Sequence, residues 1–399
     1  MSAQIAGVVA DACELLGLGE PTHGEPAFEW VRNGVIRELV VTAGFRSVVL
    51  ETDRVAALTL NEYVCEDVGS LDQAMDQGFS HGLGEEPANR SLIEWLHDWN
   101  MSQSAPRRVT VHGFDTPTEF ASAPSPRPYL LHAGEYLGVD IEIDELVGDD
   151  QRWSRPEAVM DASLSPGATA EAHTLRVIAH DLLIALHAGA PQLISATSLN
   201  AWRSVKVRLN AVLGLLAYHR QAASMVDEAT RISDLLATRD ALMAGNLFDI
   251  RAEEGRRGPT LVFAHNRHLQ RQESQWTLDD MNLVWHSAGA IVSSVMGSHC
   301  TFVAGSLGTS SELGLRQPPL HTYEALLEQA IPTELKSLGW GLVRPSTLHG
   351  GRLRADVTPD QGYFPLDEST VRSADAILHI GDAVRAIGHG HMGRSGSAL

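Results

Sequence analysis

A carboxylate and an imidazole three residues apart, fenced by glycine and proline, are the first residues of this chain suited to chemistry. They lie in Gly19-Glu20-Pro21-Thr22-His23-Gly24, directly after the apolar run Leu15-Leu16-Gly17-Leu18. Proline fixes φ and glycine tolerates tight or left-handed backbone, so such a turn can be rigid and still open to a ligand. An acid and a base so placed are equipped for proton transfer; the plainer reading is a strand-to-helix loop with a surface histidine. Three more segments bring ionisable groups directly after apolar runs. Glu51 and Asp53 follow Val48-Val49-Leu50, Asp115 ends His112-Gly113-Phe114-Asp115, and His265 and His268 lie in Phe263-Ala264-His265-Asn266-Arg267-His268. Each alone reads as a helix cap or loop residue. At the carboxyl ends of strands of one open sheet, the four together read as a shared site.

The elements that must position these residues follow from the hydrophobic pattern. Short apolar strands alternate with longer amphipathic segments, which predicts a three-layer α/β fold with a mainly parallel central sheet and helices on both faces. Candidate strands cover 14–18, 47–50, 109–112, 260–264, 301–304 and 376–380. The stretch 122–128 is rich in Pro and Ser and reads as a loop. From about 166 to 251 the chain is helix-forming, a large insertion expected to form a pocket wall or lid within a single catalytic domain spanning 1–399. The Gly- and Ser-rich stretch 388–399 is expected to fray, so His389 and His391 are assigned to a tail rather than to a metal site. The helix after the first loop has Phe28, Val31, Val35, Ile36 and Leu39 on its apolar side, and Arg32 falls within that stripe. Its guanidinium either snorkels to the surface or, if buried, needs a carboxylate, for which Glu20 and Glu51 are the candidates.

Composition narrows the function. The chain has 399 residues, 44% of them hydrophobic, enough for a sizeable core. Its net charge of −20 argues against nucleic-acid phosphates and anionic membranes as partners, and is compatible with a neutral or cationic small substrate. Cys13, Cys65 and Cys300 are odd in number and show no Cys-x-x-Cys pairing. With neither a leader pattern nor an apolar run of bilayer length, they point to a cytoplasmic protein. Gly17-Leu18-Gly19 with Gly24 nearly matches a dinucleotide loop, but the spacing is broken and Pro21-Thr22-His23 stands where a pyrophosphate would approach bare backbone. Gly-x-Ser-x-Gly and Gly-x-x-x-x-Gly-Lys motifs are absent. His265 and His268, with Glu20 and His23, make a divalent metal the alternative to the expected cofactor-free site, although no standard zinc signature is present.

In combination these residues resemble the erythromycin esterase family. The family's Gly-Glu-x-x-His-Gly loop is matched at 19–24, with an aromatic at Phe28, an Arg at Arg32 and a strand ending in Glu51. The likeness continues through Glu94-Trp95-Leu96-His97-Asp98-Trp99-Asn100, Gly113-Phe114-Asp115, Arg239-Asp240-Ala241-Leu242-Met243 and the His-Asn-x-His run at 265–268. It implies hydrolysis of an ester, macrolide lactones being the best-known substrates, with water as the attacking group and His23 as base. Glu20, Arg32, Glu51, His265 and His268 would support it, and Asp115 and Asn266 are candidate substrate-binding residues. A neutral imidazole with a pKa of about 6.5 can take a proton from water at neutral pH. Glu20 or Glu51 would fix its tautomer, and Arg32 would hold that carboxylate ionised or meet the oxyanion. His268, rather than His265, would bind the oxyanion or protonate the leaving alkoxide. The stretches 122–231 and 299–317 depart from the family's pattern, and the first is expected to supply much of the pocket. The function expected is therefore hydrolysis of a cyclic or bulky small-molecule ester or lactone. Acyl transfer, cyclisation or rearrangement on the same scaffold, or ligand binding without turnover, are the alternatives.

Overall fold

The structure, a computed structural model, describes residues 7, 9, 12–119 and 121–392, with side chains described up to 388. Its strands are β1 (Leu15–Glu20), β2 (Ser47–Asp53), β3 (Thr110–Asp115), β4 (Thr260–His265), β5 (Glu273–Leu278), β6 (Met281–His286), β7 (Cys300–Thr309), β8 (Trp340–Val343) and β9 (Ala376–Asp382). Seven of them form one sheet in the order β3-β2-β4-β1-β7-β9-β8, parallel throughout except for β8, which runs antiparallel along β9. β5 and β6 form a separate antiparallel hairpin. The expected three-layer, mainly parallel architecture is what the chain adopts.

Alternation along the strands builds the layers, because successive side chains point to opposite faces. Leu16, Leu18, Val48, Leu50, Leu261 and Phe263 join one core, with the helices Ala27–Thr42, Ala57–Glu66 and Pro87–Met101. Leu15, Val49, Val262, Ala264, Phe302 and Ala304 join the core on the other face, under the helices Glu228–Glu254 and Ala288–Met296. Near-continuous apolar strands are the consequence of burial on both faces.

Every expected strand is present, but the segments β5, β6 and β8 were not anticipated, and all six expected strands run on past their expected ends. Glu20, Glu51, Asp115 and His265 thus belong to the strands, not to the loops after them. The loop expected at 122–128 ends sooner, because Pro128 occupies the first turn of the Arg127–Leu137 helix, where a missing N–H costs nothing. The helical insertion therefore begins earlier than 166. Its helices Arg127–Leu137, Ala170–Ala188 and Leu199–Ala222 enclose a core of their own around Trp153, Leu175, Leu182, Leu209 and Val212. No single described helix is long and apolar enough to cross a membrane. At the other end of the chain, Ala383–Met392 is helical, so the expected frayed tail does not begin at 388. The side chains of His389 and His391, and residues 393–399, lie outside the described residues.

Candidate active site

Because β3, β2, β4 and β1 are consecutive in the sheet, Asp115, Glu51, His265 and Glu20 emerge on four adjacent strands at the carboxyl edge. Glu20 and His265 are register partners. On β2 the pairing with β3 shifts between Leu50 and Asp53, an irregularity of the kind that re-aims side chains, and Glu51 lies in it. Gly19 is required by space rather than by backbone sign. A Cβ there would stand 2.2 Å from Asn266 Oδ1, whereas neither Gly19 nor Gly24 has the positive φ that a left-handed turn needs.

His23 hangs from the loop between β1 and the Ala27–Thr42 helix. Its Nδ1 is 2.8 Å from Glu20 Oε1 and its Nε2 is 3.7 Å from Glu51 Oε1. Half of its side-chain surface remains open, while both carboxylates are buried. Burial acts to lower the pKa of the imidazole, but the fields of Glu51 and Glu20 and the bond to Glu20 outweigh it and raise the value to about 9. Solvent reaching the open half screens part of that field. An imidazole with the ordinary value near 6.5, as expected from the residue type, is therefore not what the site contains.

Glu51 is the centre of the charge network. Its Oε2 accepts from the His265 backbone N–H at 2.7 Å, and its Oε1 lies 3.3 Å from His268 Nε2 and 3.8 Å from Arg239 Nη2. Burial would raise its pKa, but His268, His23 and Arg239 hold the carboxyl below its ordinary value. His268 is gripped from the other side by Asp240, 3.0 Å from Nδ1, so its pKa is raised against the effect of burial by Asp240 and Glu51. Asp240 is fully buried and also accepts from Trp285 Nε1 and from the Ala288 N–H, each at 2.7 Å. Arg239 is clamped by Asp115, with Nε 2.9 Å from Oδ1 and Nη2 on Oδ2. His265 is the exception among the imidazoles. Burial and the cations around it push its pKa well below the ordinary value, and its Nδ1 accepts from the Arg267 N–H at 3.2 Å, which leaves the proton of the neutral ring on Nε2.

These groups line a cavity of about 370 Å³, whose floor holds His23, Glu51, Arg239, His265 and His268 and whose walls are Leu83, Leu236, Trp276, Trp285 and Phe364. A larger cavity of about 710 Å³ lies between the helices Ala57–Glu66 and Leu199–Ala222. The charges along it are largely paired with one another, as in Arg54–Asp249, His112–Glu254 and Arg257–Glu254. The smaller cavity, where perturbed ionisable groups converge under apolar walls, is the better candidate site.

The family model that describes the erythromycin esterases matches residues 40–395. The chain belongs to the erythromycin esterase family. The matched span begins after Glu20, His23 and Arg32, so these three rest on the loop's own sequence and geometry. Among solved structures, a mutant of the erythromycin esterase EreC in its open conformation is similar, with a TM-score of 0.64 at 19% identity over 94% of this chain and 92% of that one. A Bacillus cereus protein has a TM-score of 0.63 at 17% identity over 94% and 89%. A succinoglycan biosynthesis protein has a TM-score of 0.64 at 15% identity over 93% and 88%. At such identities the likeness establishes the fold. No curated protein matches this family member in sequence.

Of the expected site residues, Glu20, His23, Glu51, His265 and His268 converge. Arg32, 2% exposed, is buried, but no carboxylate grips it. Its Nη2 bonds Asn33 Oδ1 at 2.9 Å and Asn89 Oδ1 at 2.8 Å, and the guanidinium lies 4.7 Å from the Phe263 ring centroid. Glu29 and Glu20 reach it only as fields, so the amides satisfy its N–H groups in their stead. Asp115, expected to bind substrate, is fully buried, and its oxygens are taken by Arg239, His81 and the Thr116 N–H. Asn266 is also turned inward, its amide spanning the N–H and C=O of Gly305 at 2.8 and 2.9 Å. Nor does 122–231 supply the pocket; no lining residue of the 370 Å³ cavity comes from it. Arg239, Asp240, His81, Trp276, Trp285 and Phe364 were missed as site residues.

Nδ1 of His23 and of His268 are committed to Glu20 and Asp240, Nδ1 of His265 accepts a backbone N–H, and the Arg239 guanidinium faces Glu51. Among the described residues, no three His, Cys, Asp or Glu side chains converge as a metal-ligand set.

Proposed function

We propose that this erythromycin esterase family member hydrolyses a small-molecule ester or lactone by His23-activated water, without a resident metal. The observation that carries the reading is the pairing of His23 with two buried carboxylates on the floor of an apolar-walled cavity. In the neutral ring, Nδ1–H donates to Glu20 Oε1, which leaves the Nε2 lone pair to accept a proton from water. The water oxygen then bonds to the ester carbonyl carbon. His268 and Arg239, 3.3 and 3.8 Å from Glu51 Oε1, are placed to meet the oxyanion. Collapse breaks the acyl C–O bond, and the proton held by His23 passes to the leaving alkoxide, giving acid and alcohol. Glu51 has a positioning part, holding His268 and favouring the imidazolium that forms on His23. The name of the structural relative EreC supports an ester substrate, and its low identity leaves the choice of ester to experiment.

The test is mass spectrometry of macrolides, simpler lactones and 4-nitrophenyl esters incubated with wild type and His23→Ala, with and without a chelator. Addition of one water by wild type, lost in His23→Ala and indifferent to chelator, is the expected result. Chelator-sensitive turnover would replace the mechanism with a metal-dependent one. A product other than acid and alcohol would move the reaction to acyl transfer or rearrangement.

A further inference from the structure

One cation in the cleft has no salt-bridge partner among the described residues. Arg267 lines the cavity next to His265 and His268, and its guanidinium stacks 4.5 Å from the Phe364 ring centroid. Among the described residues it makes no salt bridge and no side-chain hydrogen bond, and its Nε is buried without a partner. The carboxylate whose field it feels is Asp367, which is occupied in capping the Glu368–Ser373 helix by accepting from the Thr370 N–H at 2.6 Å. Arg239, the other guanidinium in the cavity, is by contrast clamped by Asp115. Burial lowers the Arg267 pKa to about 10, which leaves the group charged at neutral pH. A cation that is partly buried, unpaired and facing a cavity is poised to pair with a ligand anion.

The surroundings define that ligand further. His23 and His265 have ring centroids 5.3 Å apart, His265 and Phe364 5.0 Å, and Arg267 caps the row over Phe364. The cation thus stands at the far end of a continuous aromatic row that starts at the proposed base. With Nε buried, Nη1 and Nη2 are the donors left for a ligand, spaced for the two oxygens of a carboxylate. Trp276 and Trp285 supply apolar wall, and about 370 Å³ is near the lower end of the range of about 300–1,000 Å³ for small-molecule pockets. We propose that Arg267 and Phe364 form a carboxylate-recognition subsite, so that the preferred ester is compact and apolar with a free carboxylate away from the scissile bond. As a statement about substrate this rests on the esterase reading; as a binding site it stands independently.

Binding and turnover separate the two. The intact chain is titrated with 4-phenylbutyrate and with the neutral 4-phenylbutanol at 0.15 M salt, by calorimetry. The carboxylate is expected to bind about 10- to 100-fold more tightly, the worth of a charged hydrogen-bonded contact. Arg267→Gln should abolish that preference and Arg267→Lys keep part of it. Equal affinity in wild type, no binding of the carboxylate at millimolar concentration, or a preference unchanged in Arg267→Gln overturns the subsite. In the second arm, mono-4-nitrophenyl succinate and 4-nitrophenyl butyrate are compared as substrates of wild type and His23→Ala. His23-dependent hydrolysis that favours the succinate supports both claims. His23-dependent hydrolysis with no such preference overturns the subsite alone. Carboxylate-selective binding without His23-dependent hydrolysis of either ester supports the subsite and counts against the esterase reading.

Discussion

His23 illustrates how residue type and residue environment can disagree. Its identity as an imidazole is in the sequence, but its basicity is set by Glu20 and Glu51, which raise the pKa to about 9. A general base must be unprotonated to act, so activity governed by His23 should climb from pH 7, reach half its plateau near pH 9 and level off above that, instead of reaching half-plateau near 6.5. A kcat/KM profile that is already flat at pH 7 would contradict this. Removing the Glu51 charge removes support for the imidazolium, so Glu51→Gln should shift the profile's midpoint to lower pH while also lowering its plateau. His23→Ala should cost about 10²- to 10⁴-fold in kcat, the usual worth of a general base. Arg32 teaches the complementary point. Its place in an apolar stripe left snorkelling and burial both open, and the carboxylate expected for a buried guanidinium is replaced by Asn33 and Asn89, neutral amides that no charge pattern in the sequence marks.

Among the elements, the close approach of β1, β4 and β7 holds the site together. A Cβ on Gly305 would stand 2.4 Å from Gly19 O and 2.8 Å from the Cα of Glu20. Gly305→Ala is therefore expected to destabilise the fold by about 1–3 kcal/mol, as overpacking does, and to reduce activity by displacing Glu20. Urea denaturation and kcat measured on the same variant check both effects; full activity would mean that Glu20 tolerates the shift. The Glu228–Glu254 helix bears a similar load, because it carries Arg239 and Asp240 to the sheet edge. Asp115→Ala leaves the Arg239 charge buried without its clamp, and a loss of about 3–5 kcal/mol in unfolding free energy is expected. A loss below about 1 kcal/mol would show that Glu51 and Asp240 suffice to hold Arg239. Asp240 could have been found from sequence by the criterion that picked out Arg32. It is a charged residue one turn from Leu236, Met243 and Ala244, on the apolar side of a helix. The β5–β6 hairpin was harder to see, since it buries one face only, with Ser274, Leu283 and Trp285 turned inward.

On the scale of the molecule, the insertion between β3 and β4 has a core separate from the two cores of the sheet. Trp153 is central to it, fully buried, with Nε1 bonded to Val147 O at 2.9 Å and its ring 5.2 Å from His219. Trp153→Ala should cost about 3–5 kcal/mol locally. Hydrogen exchange is expected to show the loss of protection in the helices Ala170–Ala188 and Leu199–Ala222, with β1, β4 and β7 spared. An equal loss in the sheet would mean that insertion and sheet unfold as one unit.

The sequence by itself determined the layers, the family, and which polar residues close the strands, because local hydrophobic periodicity and short motifs are properties of neighbouring residues. Strand order was decided only by the tertiary structure. That order made β3, β2, β4 and β1 consecutive, put Glu51 within reach of His23, His268 and Arg239, and turned Asp115 and Asn266 away from the cavity. The tertiary structure also set the β5–β6 hairpin, which carries Trp276 and Trp285, beside Phe364 from a distant segment, so that the three serve as walls. The physical reason is that charge states and pocket walls depend on distances of a few ångströms between residues tens to hundreds of positions apart, and no local pattern encodes those distances.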